Sequence, residues 1–315
     1  MRAWSAAREY AALSVVLGAL VAAFALATDH FFTAGTFRTI ANQIPAALVV
    51  AVGMTFVLVV ASIDLSVGSV LALSGAVLGA CLVELQLALP LAGAACLLAG
   101  AACGALNGLI VVRWGLPSFI VTLGMMEMAR GGAYLVTGSR TRYIGAGVER
   151  VAEASWLGLS LPFALALLVV AAGQAVLSRT VFGRYLVAVG TNEEAVRLAG
   201  IETGRVRAAV FVLSGALSGL GALLHSARLG SADPNAGAGF ELQAIAAVVI
   251  GGTSLLGGRG SVVSSFFGVV IMAVLGTGLA QVGVQEPSKR LITGAVIVVA
   301  VIADRYRHRG AARAA

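Results

Sequence analysis

Charge is what this chain has least of. Only 11% of its 315 residues are Asp, Glu, Lys or Arg, against about 25% in an average soluble domain. Too few polar groups remain to cover a surface in water, which excludes a soluble globular fold. Lysine is nearly absent, Lys289 being the single one. A Walker-type phosphate loop needs a lysine after its last glycine to reach the β- and γ-phosphates, so this chain cannot hold ATP in that way. Its three histidines, His30, His225 and His308, are far apart, and no Ser-His-Asp pattern appears. Cys81, Cys96 and Cys103 lie in apolar runs without metal-ligand or disulfide spacing, and read as small buried residues. Nothing here forms a catalytic constellation, and the chain is not read as an enzyme. Aromatics are also scarce, at 6%. Together with the lack of alternating ten-residue segments, this argues against an outer-membrane barrel.

What is there is apolar. Hydrophobic residues make up 59% of the chain, and glycine contributes 40 residues; mean hydropathy is +0.99. Ten windows have the length of a membrane-crossing helix, roughly at 10–28, 41–61, 66–84, 88–112, 117–137, 160–178, 206–228, 241–257, 261–281 and 289–303. The expected fold is an all-α polytopic integral membrane protein with about ten transmembrane helices, residues 1–315 forming one transmembrane domain. The first window follows MRAWSAAREY and ends in Ala25-Leu26-Ala27, which has the look of a signal-peptide cleavage site. Its apolar run is longer than a signal peptide's, so a retained helix is expected.

Ten crossings put both termini on one side. The arginine-rich end RYRHRGAARAA marks that side as cytoplasmic. The scattered basic residues do not suggest a nucleic-acid partner. Two stretches fall outside the windows and are expected to be largely non-helical. Residues 138–159 would lie outside, with Trp156 as an interface anchor. Residues 179–205 would lie inside and contain GTNEEAVRLAGI. There Asn192 can cap a short helix, Glu193 and Glu194 fall in its first turn, Arg197 falls late, and Gly200 is a natural stop. An interfacial loop helix and a docking element for a cytoplasmic partner are both open readings of it.

Polar residues within the windows are few: Asn42 and Gln43, Asn107, Glu127 with Arg130, and Glu241 with Gln243. Glu127 and Arg130 share a helix face and could offset each other's charge; a neutralised pair and a pair lining a polar pathway are both open. Glu241 and Gln243 are expected near an outer helix end. Gly75 and Gly79, Gly100, Gly104 and Gly108, and Gly215 and Gly219 repeat every four residues, the spacing that draws helices together in lipid. GGTSLLGGRGS, residues 251–261, superficially resembles a phosphate loop. Without lysine it reads better as a tight turn in which Gly251, Gly252, Gly257 and Gly258 allow unusual backbone angles and Arg259 marks the inner face. In VVASIDLSVGSV, residues 59–70, Asp64 divides one long apolar run into two helices. It is expected at the inner face, capping the second helix through the amide of Ser66 or Val67, with Ser66 and Gly68 letting that helix start close to its neighbours.

Four motifs carry a family resemblance. GMTFVLVVASIDLSVGSVLALSG (53–75), LPSFIVTLGMMEMARG (116–131), FGRYLVAVGTNEEAVRLAGI (182–201) and ELQAIAAVVIGGTSLLGGRGSV (241–262) occur in one order. Together they resemble the membrane permease of bacterial ribose-type ABC sugar importers, from about residue 40 to 305. The resemblance implies a homo- or heterodimer of permeases in the inner membrane. Cytoplasmic ATP-binding subunits would bind ATP and Mg, this chain would bind no cofactor, and a periplasmic or lipid-anchored sugar-binding protein would deliver substrate. It also implies that the segment containing Gly190, Asn192, Glu193, Glu194, Arg197, Leu198 and Gly200 is the ATPase-coupling helix. Asn42, Asn107, Glu127, Arg130, Glu241 and Gln243 are then candidates for the translocation path. The chain departs from the family's frequent residues at Glu127, Gln243 and Ser264. Rival readings are a branched-chain amino-acid ABC permease, an ion-coupled secondary transporter and a structural scaffold.

Overall fold

The computed structural model describes residues 2–313 except 154, 157 and 158. The side chain of Trp156 lies outside the described residues. The described chain holds fourteen helices and four two-residue strands, so the all-α expectation holds.

Its spine is a pair of antiparallel helices, α5 (Leu89–Trp114) and α11 (Thr203–Leu229). Gly100 and Gly215 face each other so closely that a methyl on either would fall on the other's carbonyl oxygen. Gly104 meets the carbonyl of Phe211, Gly108 the backbone of Ala208, and Gly219 that of Cys96. Lipid tails are as apolar as leucine, so burial alone does not hold membrane helices together. Backbone approach, allowed by missing side chains, supplies the van der Waals contact instead. The four-residue glycine ladders are therefore structural. The three cysteines are free and buried, as expected.

Around this spine lie α3 (Pro45–Val59) and α4 (Val67–Val83), with α6 (Ser118–Thr137) on the far side of α4. A second group joins α8 (Leu161–Arg179), α12 (Phe240–Ile250) and α13 (Val262–Gln281) to α3. The first helix, α1 (Arg2–Ala27), packs on α13, where Phe24 covers Gly278 and Tyr10 meets Ser261 at 3.1 Å. The last, α14 (Glu286–Arg313), touches α12 and α13.

Among the described residues, five helices are long and apolar enough to cross a membrane: the Tyr10–Ala27 part of α1, then α5, α8, α11 and α13. A sixth is gained if α2 (Ala34–Gln43) and α3, bent by 49° at their junction, count as one. Every one of the ten apolar windows falls on a helix, but not every window is one full helix. The window 241–257 is corrected: α12 stops at Ile250 because Gly251 and Gly252 turn the chain. Its 11 residues reach about 16 Å, roughly half of a ~30 Å hydrocarbon core.

The two inter-window stretches are more helical than expected. Stretch 138–159 contains α7 (Ala146–Glu153), and its ends form ribbons: β1 (Arg142–Tyr143) pairs with β4 (Ser231–Ala232), and β2 (Ser155–Trp156) with β3 (Leu159–Ser160). Stretch 179–205 is mostly α9 (Val181–Thr191) and α10 (Glu193–Leu198). Thr180 caps α9 by accepting from the Gly183 amide at 3.1 Å, and Leu186 and Val189 bury one face. A search for 20-residue apolar runs passes over an 11-residue amphipathic helix of this kind.

Candidate functional site

Between α3 and α4 the chain is not helical. Residues 60 and 61 form a turn and 62–66 have no regular structure, and Ser62, Asp64 and Ser66 are all buried. Unpaired backbone groups in an apolar interior are costly, so such a segment survives only if neighbours satisfy it. Here they do. The amide of Ser62 donates to the carbonyl of Val57 at 3.0 Å, that of Ile63 to Ser118 Oγ at 3.0 Å, and that of Leu65 to Thr122 Oγ1 at 3.0 Å. Thr122 donates back to the Ile63 carbonyl at 3.3 Å. Two hydroxyls from the first turns of α6 thus satisfy backbone groups of this segment.

Asp64 is the centre of this break, 1% exposed. Its Oδ1 accepts from the Ser66 amide at 2.9 Å and the Ser66 hydroxyl at 2.6 Å. Its Oδ2 accepts from Ser214 Oγ, on α11, at 2.9 Å. Asn107 of α5, fully buried, donates through Nδ2 to Ser66 Oγ at 3.0 Å, while its Oδ1 has no partner among the described residues. Asp64 does bond the Ser66 amide, but it does not cap α4: the helix starts at Val67, its N-cap residue is Ser66, and no side chain makes a capping bond there. The position of Asp64 also differs from the expectation. Ser214 lies about 16 Å along α11, a helix of 27 residues. Asp64 therefore sits against the middle of the spine, not at its end.

A second break meets the first. After α11 the chain turns back through residues 233–239 and starts α12 beside the start of α4. A side chain at Gly68 would collide with the Gly237 carbonyl and the Glu241 carboxylate. Arg130 of α6 holds this returning segment, donating from Nη1 to the carbonyls of Pro234 at 2.6 Å and Ala236 at 2.9 Å. Tyr134, one turn on, donates to Asn235 Oδ1 at 2.6 Å. One expectation is corrected by this. Arg130 does not pair with Glu127, because carbonyls outside regular structure claim its donors. Glu127 instead lies on the exposed face of α6. Glu241 lies in the first turn of α12, at a helix end as expected, and rests against Gly68, while Gln243 is exposed. Asn42 joins neither break. With Gln43, Ser160, His225 and Arg228 it lines a separate cavity of about 120 Å³.

The third feature is the corner where α3, α9 and the 251–261 loop meet. Gly190 packs directly on the Val59 carbonyl, and the Gly258 amide donates to that same carbonyl at 2.9 Å. The Gly257 amide donates to Ser254 O at 3.3 Å, and the Ser254 amide to Arg259 O at 3.0 Å. Amides turned inward like this leave no phosphate cradle, so the loop is a turn. From this corner α10 projects. Asn192 caps it, accepting from the Ala195 amide at 3.0 Å, and Gly200 follows it with φ +81°. Glu194 pairs with Arg197 at 2.7 Å, and Leu198 is 80% exposed. Leu256, at the tip of the neighbouring loop, is 76% exposed. Glu193 turns instead toward Arg207 of α11, at 3.1 Å. Neither Ser62 nor Arg207 stands out in the sequence, since one is a serine among many and the other an arginine at a window edge.

A bundle of apolar helices around two polar breaks is the build of a multi-pass membrane protein. Residues 36–301 match the family described as branched-chain amino acid transport system / permease component, and the chain belongs to that family. Among curated relatives, it is 38% identical over 299 residues to the ribose import permease protein of Escherichia coli (strain K12), covering 93% of this chain and 92% of that one. It is 34% identical over 312 residues to the fructose import permease protein of Rhizobium meliloti, covering 95% and 86%. It is also 34% identical over 291 residues to the L-arabinose ABC transporter permease protein of Azospirillum brasilense, covering 91% and 85%. No solved structure matches.

Proposed function

We propose that this chain is the membrane-spanning subunit of an ATP-driven importer of a pentose or hexose, in a bacterial inner membrane. It works as one half of a permease dimer. Two cytoplasmic ATPases bind ATP and Mg on the coupling side, and a periplasmic or lipid-anchored binding protein delivers the sugar. The ten helices α1, α3, α4, α5, α6, α8, α11, α12, α13 and α14 are the ten crossings, with α4 and α12 as shortened ones, and both termini are cytoplasmic. The carrying observation is that sugar permeases match this chain along more than nine-tenths of its length. The family's description also names amino acids, but these relatives, each matched over most of its own length, are sugar permeases.

The geometry gives this reading a mechanism. Discontinuous helices in transporters bring polar backbone and side chains to mid-membrane. Two such helices, α4 and α12, begin side by side at Gly68 and Glu241. α10, with its outward Glu194, Arg197 and Leu198, supplies the docking surface for the ATPase. When ATP closes the ATPases, the α10 helices move and the breaks rearrange, opening the path alternately to each side. Affinity for sugar resides in the binding protein, which fits the few hydrogen-bonding side chains here. Glu127, on the open face of α6, borders the path.

Reconstitution tests this. Proteoliposomes holding the permease, its genomically adjacent ATPase and its binding protein should take up a labelled pentose or hexose only with ATP on the coupling side. Uptake that follows an ion gradient without ATP, or ATP-driven uptake of leucine and not of sugar, would overturn the reading.

A further inference from the structure

Arg207 stands where the docking helix meets the first polar break. It lies one turn into α11, and its side chain is 26% exposed. Nη1 donates to Glu193 of α10, at 3.1 Å from Oε2 and 3.4 Å from Oε1. Nη2 donates to Ser62 Oγ at 3.4 Å. Nε is buried without a partner among the described residues. Ser62 is itself buried and lies two residues before Asp64, in the non-helical segment that leads into α4. One guanidinium therefore spans three elements: the first residue of α10, the start of the break, and the spine.

A partly exposed ion pair adds little stability. What this arrangement supplies is geometric connection. The other link from this corner, Gly190 on Val59, is backbone against backbone and cannot be released without moving whole helices. The Arg207 link is made of side chains, and its bond to Ser62 is long enough to tighten or part with a small shift of α10. The planar fork of arginine can reach acceptors on two elements at once, which a lysine ammonium on one flexible stem does far less well.

We infer that Arg207 is a positioning residue for transport, carrying displacement of α10 to Ser62 and so to the segment around Asp64. This rests on the reading of α10 as the ATPase-docking helix, and two sets of variants keep the two claims apart. In the reconstituted full transporter, Arg207→Gln should still co-purify the ATPase at normal ratio and keep basal ATP hydrolysis. Sugar moved per ATP hydrolysed should fall at least tenfold. Ser62→Ala, which leaves the ion pair in place, should lower the same ratio with docking intact, and Arg207→Lys should recover only part of it. Leu198→Asp together with Glu194→Lys should release the ATPase instead. An unchanged sugar-to-ATP ratio in Arg207→Gln would overturn the inference, as would loss of the ATPase from that variant. If Arg207→Gln does not fold, an unchanged ratio in Ser62→Ala overturns it. Retention of the ATPase by the Leu198 and Glu194 variant would overturn the docking reading alone.

Discussion

The α5–α11 seam and the break at residues 60–66 touch the same helix within one turn of each other. Gly215 belongs to the seam and Ser214 to the break. The seam is backbone on backbone, with no room for a methyl. The break is an irregular segment held by hydroxyls, one carboxylate and one amide side chain. A seam of that kind has a single arrangement, because any shift opens a void or a clash. Hydrogen bonds from serine and threonine can be exchanged for others at small cost, since each contributes only about 0.5–1.5 kcal/mol net. The contrast assigns α5 and α11 to the fixed frame and residues 60–66, with the start of α4, to the moving part.

The largest effect is expected in the seam. Gly104→Leu would drive a side chain into the Phe211 carbonyl, where neither backbone can yield. Overpacking commonly costs about 1–3 kcal/mol, and this site should reach or exceed the upper figure. Size-exclusion chromatography of the heated protein should show little folded material. A melting curve like that of the unaltered chain would show that the seam can yield after all.

The break should respond next. Asp64→Ala removes the acceptor of the Ser66 amide, the Ser66 hydroxyl and the Ser214 hydroxyl. Buried donors left unsatisfied cost about 1–3 kcal/mol. Thermal stability should drop by that amount and transport should be abolished, whereas Asp64→Asn keeps an acceptor and should retain part of both. Wild-type transport by Asp64→Ala would remove the break from the mechanism.

Arg130→Gln sharpens the comparison at the second break. It loses two charge-assisted bonds, to Pro234 and Ala236, worth about 1.5–3 kcal/mol each before repacking. Glu127→Gln should change stability by less than about 0.5 kcal/mol. The two changes should add, within about 0.5 kcal/mol; a coupling larger than that would restore the ion pair that the structure lacks. A comparably small effect is expected of Glu194→Gln. Its partner Arg197 is exposed, so melting should shift by well under about 1 kcal/mol, and any larger loss would mean that this exposed pair holds α10 in place.

These contrasts also show what could be read from residue order. Helix existence was legible, since apolar runs of about 20 residues have one stable form in lipid. The glycine ladders were legible as packing because their period matches the helix. α9 was not, being too short to cross. The partners of Arg130 were not, because spacing of three residues says only that Glu127 shares its face, while the carbonyls that win it lie about a hundred residues away. Asp64 could be recognised as punctuation, and its link to the Ser66 amide could be anticipated. Its depth could not, since that follows from Ser214, 150 residues on.

Hydrogen–deuterium exchange on the assembled transporter, with and without bound ATP, tests the division into frame and moving part most directly. The account predicts that exchange at residues 62–66 changes several-fold between the two states while amides of 100–108 and 208–219 stay equally protected. Equal exchange at 62–66 in both states, or a matching change along the seam, would contradict it.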